Sequence, residues 1–223
     1  MHKFESDMTP KEKRQAEIKK LKKMTLSEKA SHMWAYHKLI LFMPLIVIVL
    51  VISIFRWVEN SRFQSVLSIA VTDSIEMDTR VVAEEIKSLL NIENRYSTIS
   101  LDNAFFTIDG ELNMESVQKF AVVVSARGLD IFITREQLFK TQIDQGIFMD
   151  LNEIFSIEEL AQMDLLGHYG ISVGDSAFIL NDMKVPYSPV YLGVIANVDL
   201  NEVDHDGVAK IDMIRDFYFH VIH

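Results

Sequence analysis

The sequence predicts an α/β protein: a single N-terminal transmembrane helix, then a mostly parallel sheet with helices on both faces. Three observations predict it. Leu39 to Phe55 is an apolar run of 17 residues without a charge, preceded by a basic segment. Beyond it, short apolar runs alternate with stretches of helical periodicity, the βαβ order of a parallel sheet. The formal charge of −10 is also unevenly divided, with residues 1–38 at +5 and residues 57–223 at −16. Such a split separates two compartments or two kinds of partner.

The elements follow in chain order. Residues 1–38 read as a basic cytoplasmic tail of two helices, about 10–23 and 26–38. Thr9-Pro10-Lys11-Glu12 and Thr25-Leu26-Ser27-Glu28 are capping boxes, in which a hydroxyl and a Glu three residues later satisfy each other's backbone N–H. Residues 39–58 read as the span. Seventeen residues rise about 25 Å, and Trp57 and Val58 extend the run toward the ~30 Å hydrocarbon core. Trp34, Tyr36 and Trp57 flank it as interfacial aromatics, and a membrane helix tolerates Pro44. The N-region is too long for a cleaved signal and no small-residue cleavage site follows, so an uncleaved anchor is expected. The positive-inside rule places the tail in the cytoplasm and residues 59–223 outside a cell membrane. The cluster Lys19–Lys23 serves as the topology signal, with adhesion to anionic lipid the alternative.

In the external domain, VLSIAV (66–71) reads as a strand covered on both faces. Asp78 caps a helix to about Leu90. STISL (97–101) is a second strand. Asn113 opens a helix with Val117, Phe120, Ala121 and Val124 inward, stopped by Gly128. LDIFI (129–133) is a third strand. Thr134-Arg135-Glu136-Gln137 reads as a capping box for a helix ending at Gly146, and Ser156 opens a short one. Residues 167–189 carry a weaker pattern. VYLGVIANV (190–198) is a fourth buried strand, and Asp204 or Asp206 begins a last amphipathic helix.

LDIFITREQLFKTQIDQGIFMDLNEIF (129–155) resembles the strand-helix unit of bacterial extracellular solute-binding proteins, the type 2 periplasmic-binding-like fold. YLGVIANV and the final helix resemble the strand by which those chains return to their first lobe. WAYHK (34–38) before the span and YGISVGDS (169–176) before the returning strand resemble segments of uncharacterised single-pass membrane proteins of Firmicutes. The resemblance covers about 65–222. Only about 30 residues separate Leu160 from Val190, too few for a second lobe, so the implied domain is one lobe with half a cleft. It loses the closure that tight small-molecule binding uses.

Ligands of open α/β sheets sit beyond the carboxyl ends of the strands. The candidate contact residues there are Asp73, Ser74, Asn103, Phe105, Phe106, Thr134, Arg135 and Asn197. Asp73, Asn103 and Thr134 also read as caps or turn residues, and the two phenylalanines as core or as a patch for a protein partner. Asp204-His205-Asp206-Gly207 lacks the alternating ligands and closing Glu of a calcium loop. The histidines are not at metal-ligand spacing, and Ser172, Ser176 and Ser188 lie in no nucleophile-elbow context. The chain has no cysteine, which removes disulfides and thiol chemistry. No metal, cofactor, nucleic acid or enzymatic activity is expected. The expected partners are the bilayer, through residues 39–58, and a membrane protein such as a transporter or sensor. The alternative is a small-molecule sensor signalling through the span.

Overall fold

The computed structural model describes residues 9–174 and 176–222; the first eight residues of the tail, Asp175 and His223 lie outside it. The chain divides into two compact units, residues 1–60 and 61–223.

The first unit holds α1 (Pro10–Lys23) and α2 (Leu26–Asn60). Both capping boxes form. Thr9 and Thr25 each donate a backbone N–H to the Glu three residues on, at 2.9 Å, and each accepts that Glu's N–H at 3.4 Å. The second tail helix and the apolar run are one continuous 35-residue helix, which passes through Pro44 without ending. Within it, Phe42–Asn60 is long and apolar enough to cross a membrane, and none of it is buried within the protein.

The second unit is built on a six-stranded sheet. Its strands are β1 (Gln64–Thr72), β2 (Ser97–Phe105), β5 (Ile131–Arg135), β6 (Leu165–Leu166), β7 (Gly170–Ser172) and β8 (Val190–Val194), in the order β2-β1-β5-β8-β7-β6. β3 (Thr107–Ile108) and β4 (Glu111–Leu112) form a separate hairpin. The helices are α3 (Thr79–Leu89), α4 (Met114–Ser125), α5 (Glu136–Asp144), α6 (Ile157–Leu160) and α7 (Lys210–Asp216), the last continuing as a π-helical turn, Phe217–Ile222.

The sheet is mixed rather than mostly parallel. β2, β1 and β5 run parallel, as the βαβα order requires, but β5–β8, β8–β7 and β7–β6 are antiparallel. The reason lies in the weakly patterned stretch. Among its described residues there is no crossover helix to carry the chain back over the sheet; β7 pairs with β6 just before it, and a π-helical turn (Phe178–Asp182) follows. A strand reached that way runs in the opposite sense to β5.

Helices cover both faces. On one, the Phe120 ring of α4 lies 4.8 Å from Phe132 of β5, and Phe139 of α5 stacks on Phe148 at 4.2 Å and 9°. Phe139 can lie flat there because the strands beneath it present glycines. A Cβ on Gly170 or Gly193 would come within 2.7 Å of its ring. On the other face α7 packs on β1, and α3 packs on β2 and the C-terminal π turn. Val82 and Ile86 of α3, and Met213, Ile214 and Phe217 of the last helix, are buried.

Several local expectations change. Asp78, Asn113 and Ser156 cap as read, Ser156 with a full capping box. Thr134 does not cap. It is buried within β5, and Arg135 precedes α5 without a side-chain cap. α4 ends in a left-handed turn at Arg127 (φ +54°), one residue before Gly128. The last helix starts after Ala209, because the Asp204 carboxylate instead accepts the N–H groups of Asp206 and Val208 and closes a turn.

Candidate functional site at the strand ends

The parallel strands β1 and β5 end side by side, and their last residues form one network. Asp73 turns the chain out of β1 in the left-handed region (φ +56°), a conformation that Asp adopts more readily than most residues. Its carboxylate accepts the N–H of Thr107 at 2.8 Å, the Thr107 hydroxyl at 2.7 Å and Arg135 Nη2 at 2.7 Å. The Arg135 guanidinium lies over the Tyr187 ring, 4.8 Å from its centre, while its Nε has no hydrogen-bond partner. The Tyr187 hydroxyl is 2.6 Å from the Thr72 hydroxyl, which is 3.0 Å from that of Thr134. Burial pushes the Tyr187 phenol well above its ordinary value, against the opposing hydrogen bond from Thr72.

The neighbouring candidates hold the loop after β1. The Ser74 hydroxyl bonds the Met183 carbonyl, and the Asn103 amide donates to the carbonyls of Ser74 at 2.9 Å and Met77 at 3.4 Å. Asn103 and Phe105 lie inside β2, which runs further than the apolar pattern suggested because Phe105 still pairs with Thr72 across a bulge. Phe105 is fully buried, edge-on to Phe120 and Phe132. Phe106 is 40% exposed at the start of the hairpin, near Ile108 (64%) and Met114 (81%). Its backbone bonds Asn113 and Ser116, the cap and first turn of α4.

Asn197 stands apart from this group. β8 is antiparallel to β5, with Val190 opposite Arg135 and Val194 opposite Ile131, so the residues after β8 emerge at the opposite end of the strands. There the Asn197 amide donates to the Val124 carbonyl at 2.5 Å.

No family model, curated protein or solved structure matches this chain.

Chemically, the strand-end network is satisfied from within the fold except at Arg135 Nε. Asp73 neutralises Arg135 within the fold, and the hydroxyl chain Thr134–Thr72–Tyr187 adds neutral donors only. Among the described residues no three His, Asp or Glu side chains stand where they could hold a metal ion. Tyr187 and Thr107 escaped sequence reasoning. Tyr187 sits in the weakly patterned 167–189 stretch, and only its being a tyrosine among small residues and prolines marked it.

A second ionic cluster lies at the opposite end of β5. Asp130 and Lys210 are 3% and 7% exposed and pair at 3.1 Å. Lys210 also reaches Glu202 at 2.8 Å, and Asp130 accepts the Ser68 N–H at 2.8 Å. Burial raises the pKa of Asp130 despite the Lys210 charge. For Lys210, burial acts downward, and the hydrogen bonds and charges of Glu202 and Asp130 outweigh it, so its pKa rises.

Proposed function

We propose that this protein is a membrane-anchored external module, built like one lobe of a solute-binding protein, that acts as an accessory subunit of another membrane protein such as a transporter or sensor. The observation that carries the reading is the contrast at the strand ends. The polar candidates are taken up by hydrogen bonds within the fold, whereas Phe106, Ile108 and Met114, in the hairpin and the first turn of the helix it leads into, are exposed. Closely grouped exposed apolar side chains mark contact surfaces. The segment between Leu160 and Val190 folds back into the same sheet, which supports a single lobe. The helix Phe42–Asn60 supports the anchor, and the charge split at its flanks supports an external domain.

The test is gentle solubilisation of native membranes and isolation of the tagged full chain. A second membrane protein in fixed ratio is expected. Ile108→Asp with Met114→Ser should release it while the chain itself stays in the membrane through alkaline extraction. A wild-type chain that is integral but monomeric throughout would overturn the docking reading; a chain stripped off by alkali would overturn the anchor. The unbroken run of α2 from Leu26 to Asn60 favours a second reading, a sensor whose span transmits a ligand signal. Stabilisation of the full chain by a metabolite in thermal-shift screening would favour that reading; a featureless screen would leave the first.

A further inference from the structure

The chain leaves α2 at Asn60 and enters β1 at Gln64, and an aromatic and basic group has gathered where it enters. Phe63 is 48% exposed. Its ring stands edge-on to Tyr96, with 5.6 Å between centres, and Tyr96 immediately precedes β2, whose first residue pairs with Gln64. Two guanidinium groups lie over the same tyrosine, Arg95 at 4.5 Å from the ring centre and Arg62 at 5.8 Å. Arg62 Nη1 also reaches the Tyr96 hydroxyl at 3.4 Å. His205, from the loop before α7, completes the group: its Nε2 is 2.9 Å from the Arg62 carbonyl, and its ring is edge-on to Tyr96 at 6.4 Å. Both arginines are exposed, in a domain that is acidic as a whole. The acids of the neighbouring loop are engaged within the fold: Glu202 by Lys210 and Gln64, Asp206 by Asn94, and Asp204 by the N–H groups of its own turn. Three segments distant in sequence thus bring two guanidinium groups and two aromatic rings to the shared entrance of β1 and β2.

Chain length limits how far this group can stand from the end of the apolar helix. Phe63 is three residues beyond Asn60, roughly 10 Å if fully extended. Ser61 and Arg62 form a turn, which shortens that reach. The limit holds for any angle between helix and domain. The headgroup layer outside the hydrocarbon core is itself roughly 5–7 Å deep. Its phosphates pair with arginine, and its boundary with the acyl chains takes aromatic rings. We propose that the face formed by Arg62, Phe63, Arg95 and Tyr96 rests on the phospholipid headgroups around its own anchor, with the guanidinium groups on lipid phosphate and the Phe63 ring at the acyl boundary. The proposal rests on the reading of Phe42–Asn60 as a membrane anchor. It gives the domain a contact with the bilayer beyond the span. It also turns the far end of β2, where Phe106 and Ile108 follow, away from the lipid.

The chain has no cysteine, so one introduced cysteine takes one fluorophore. Val203→Cys places it at an exposed position between Glu202 and His205, which touch Gln64 and Arg62, so the label meets the headgroups only if this face does. Ile108→Cys, past the other end of β2, is the control. The labelled full chain is placed in nanodiscs of phosphatidylcholine and phosphatidylglycerol with a nitroxide quencher on a fraction of the headgroups. We expect several-fold stronger quenching at position 203 than at position 108. Arg62→Gln with Phe63→Ser and Arg95→Gln should bring position 203 down to the level of the control, with the melting temperature showing that the variant folds. Equal quenching at the two positions without these substitutions, or quenching at 203 that survives them, overturns the proposal. A label at 203 that the nitroxide does not reach, and that self-quenches when two chains share a disc, assigns the face to a second copy and likewise overturns it. Alkaline extraction separates the two ways of failing: a stripped chain loses the anchor and the proposal with it, whereas a retained chain with equal quenching loses only the lipid contact of the domain. Should the triple variant fail to fold, the comparison of the two labels decides.

Discussion

At the scale of single residues, the strand-end network makes the fold sensitive to alkali. Tyr187 is held neutral by burial, between the hydroxyl of Thr72 and the guanidinium of Arg135. A phenol whose pKa is raised on folding contributes stability that is complete below its unfolded value, about 10, and is lost as pH rises through the folded value. Denaturant unfolding of the full chain in mild detergent, followed by near-ultraviolet circular dichroism, should therefore show stability falling above about pH 10. Tyr187→Phe should lose about 1 kcal/mol at pH 8 through the missing hydrogen bond, and should show a shallower alkaline decline. An identical decline in the variant would assign the effect elsewhere, first to Lys210, whose raised pKa acts with the same sign.

At the scale of elements, the flat seat under Phe139 is the most exacting contact. A Cβ on Gly193 would lie 2.7 Å from both Phe139 and Phe148, and the two rings are stacked, so neither can turn aside without moving the other. Gly193→Ala should destabilise the domain by about 1–3 kcal/mol, as overpacking does. Gly146→Ala is the contrast. Its φ is +69° with nothing near the new Cβ, so only backbone strain of about 1 kcal/mol is expected. Comparison of the two unfolding midpoints checks both. The elements themselves were legible where the signal was local. Asp78, Asn113 and Ser156 could be read as caps because the hydroxyl or carboxylate and the apolar spacing after it lie within one turn. Thr134 carried the same local signature and failed, because pairing of β5 with β8 draws it into the ladder opposite Tyr191. A propensity that local spacing suggests yields to strand pairing that only the folded chain can supply.

At the scale of the whole molecule, the direction of β8 was the part the sequence concealed. An apolar run such as VYLGV fits a central strand of either sense, and its sense depends on how residues 161–189 travel. That reversal puts Asn197 at the opposite end of the strands from Asp73 and Arg135. The buried pair Asp130–Lys210 was equally hidden, since 80 residues separate its partners. It joins the entrance of β5 to the entrance of α7, with Glu202 and the Ser68 N–H completing the cluster. Lys210→Met would leave the Asp130 carboxylate buried without its cation and should lower stability by about 3–5 kcal/mol. The double variant with Asp130→Leu should recover most of that loss. A single variant as stable as the wild type would mean that Asp130 takes up a proton at little expense, as its raised pKa permits.

The continuity of α2 has a mechanical consequence. Thirty-five residues in one helix make a rod of about 52 Å. With no loop between Leu26 and Asn60, a rotation imposed at one end of the helix is passed toward the other. Pro44 is the one place where the rod is thinned, because it lacks a backbone donor. Any compliance between the two ends of the shaft is therefore concentrated at that residue, and the stiffness of the shaft can be tuned there without touching the domain it carries.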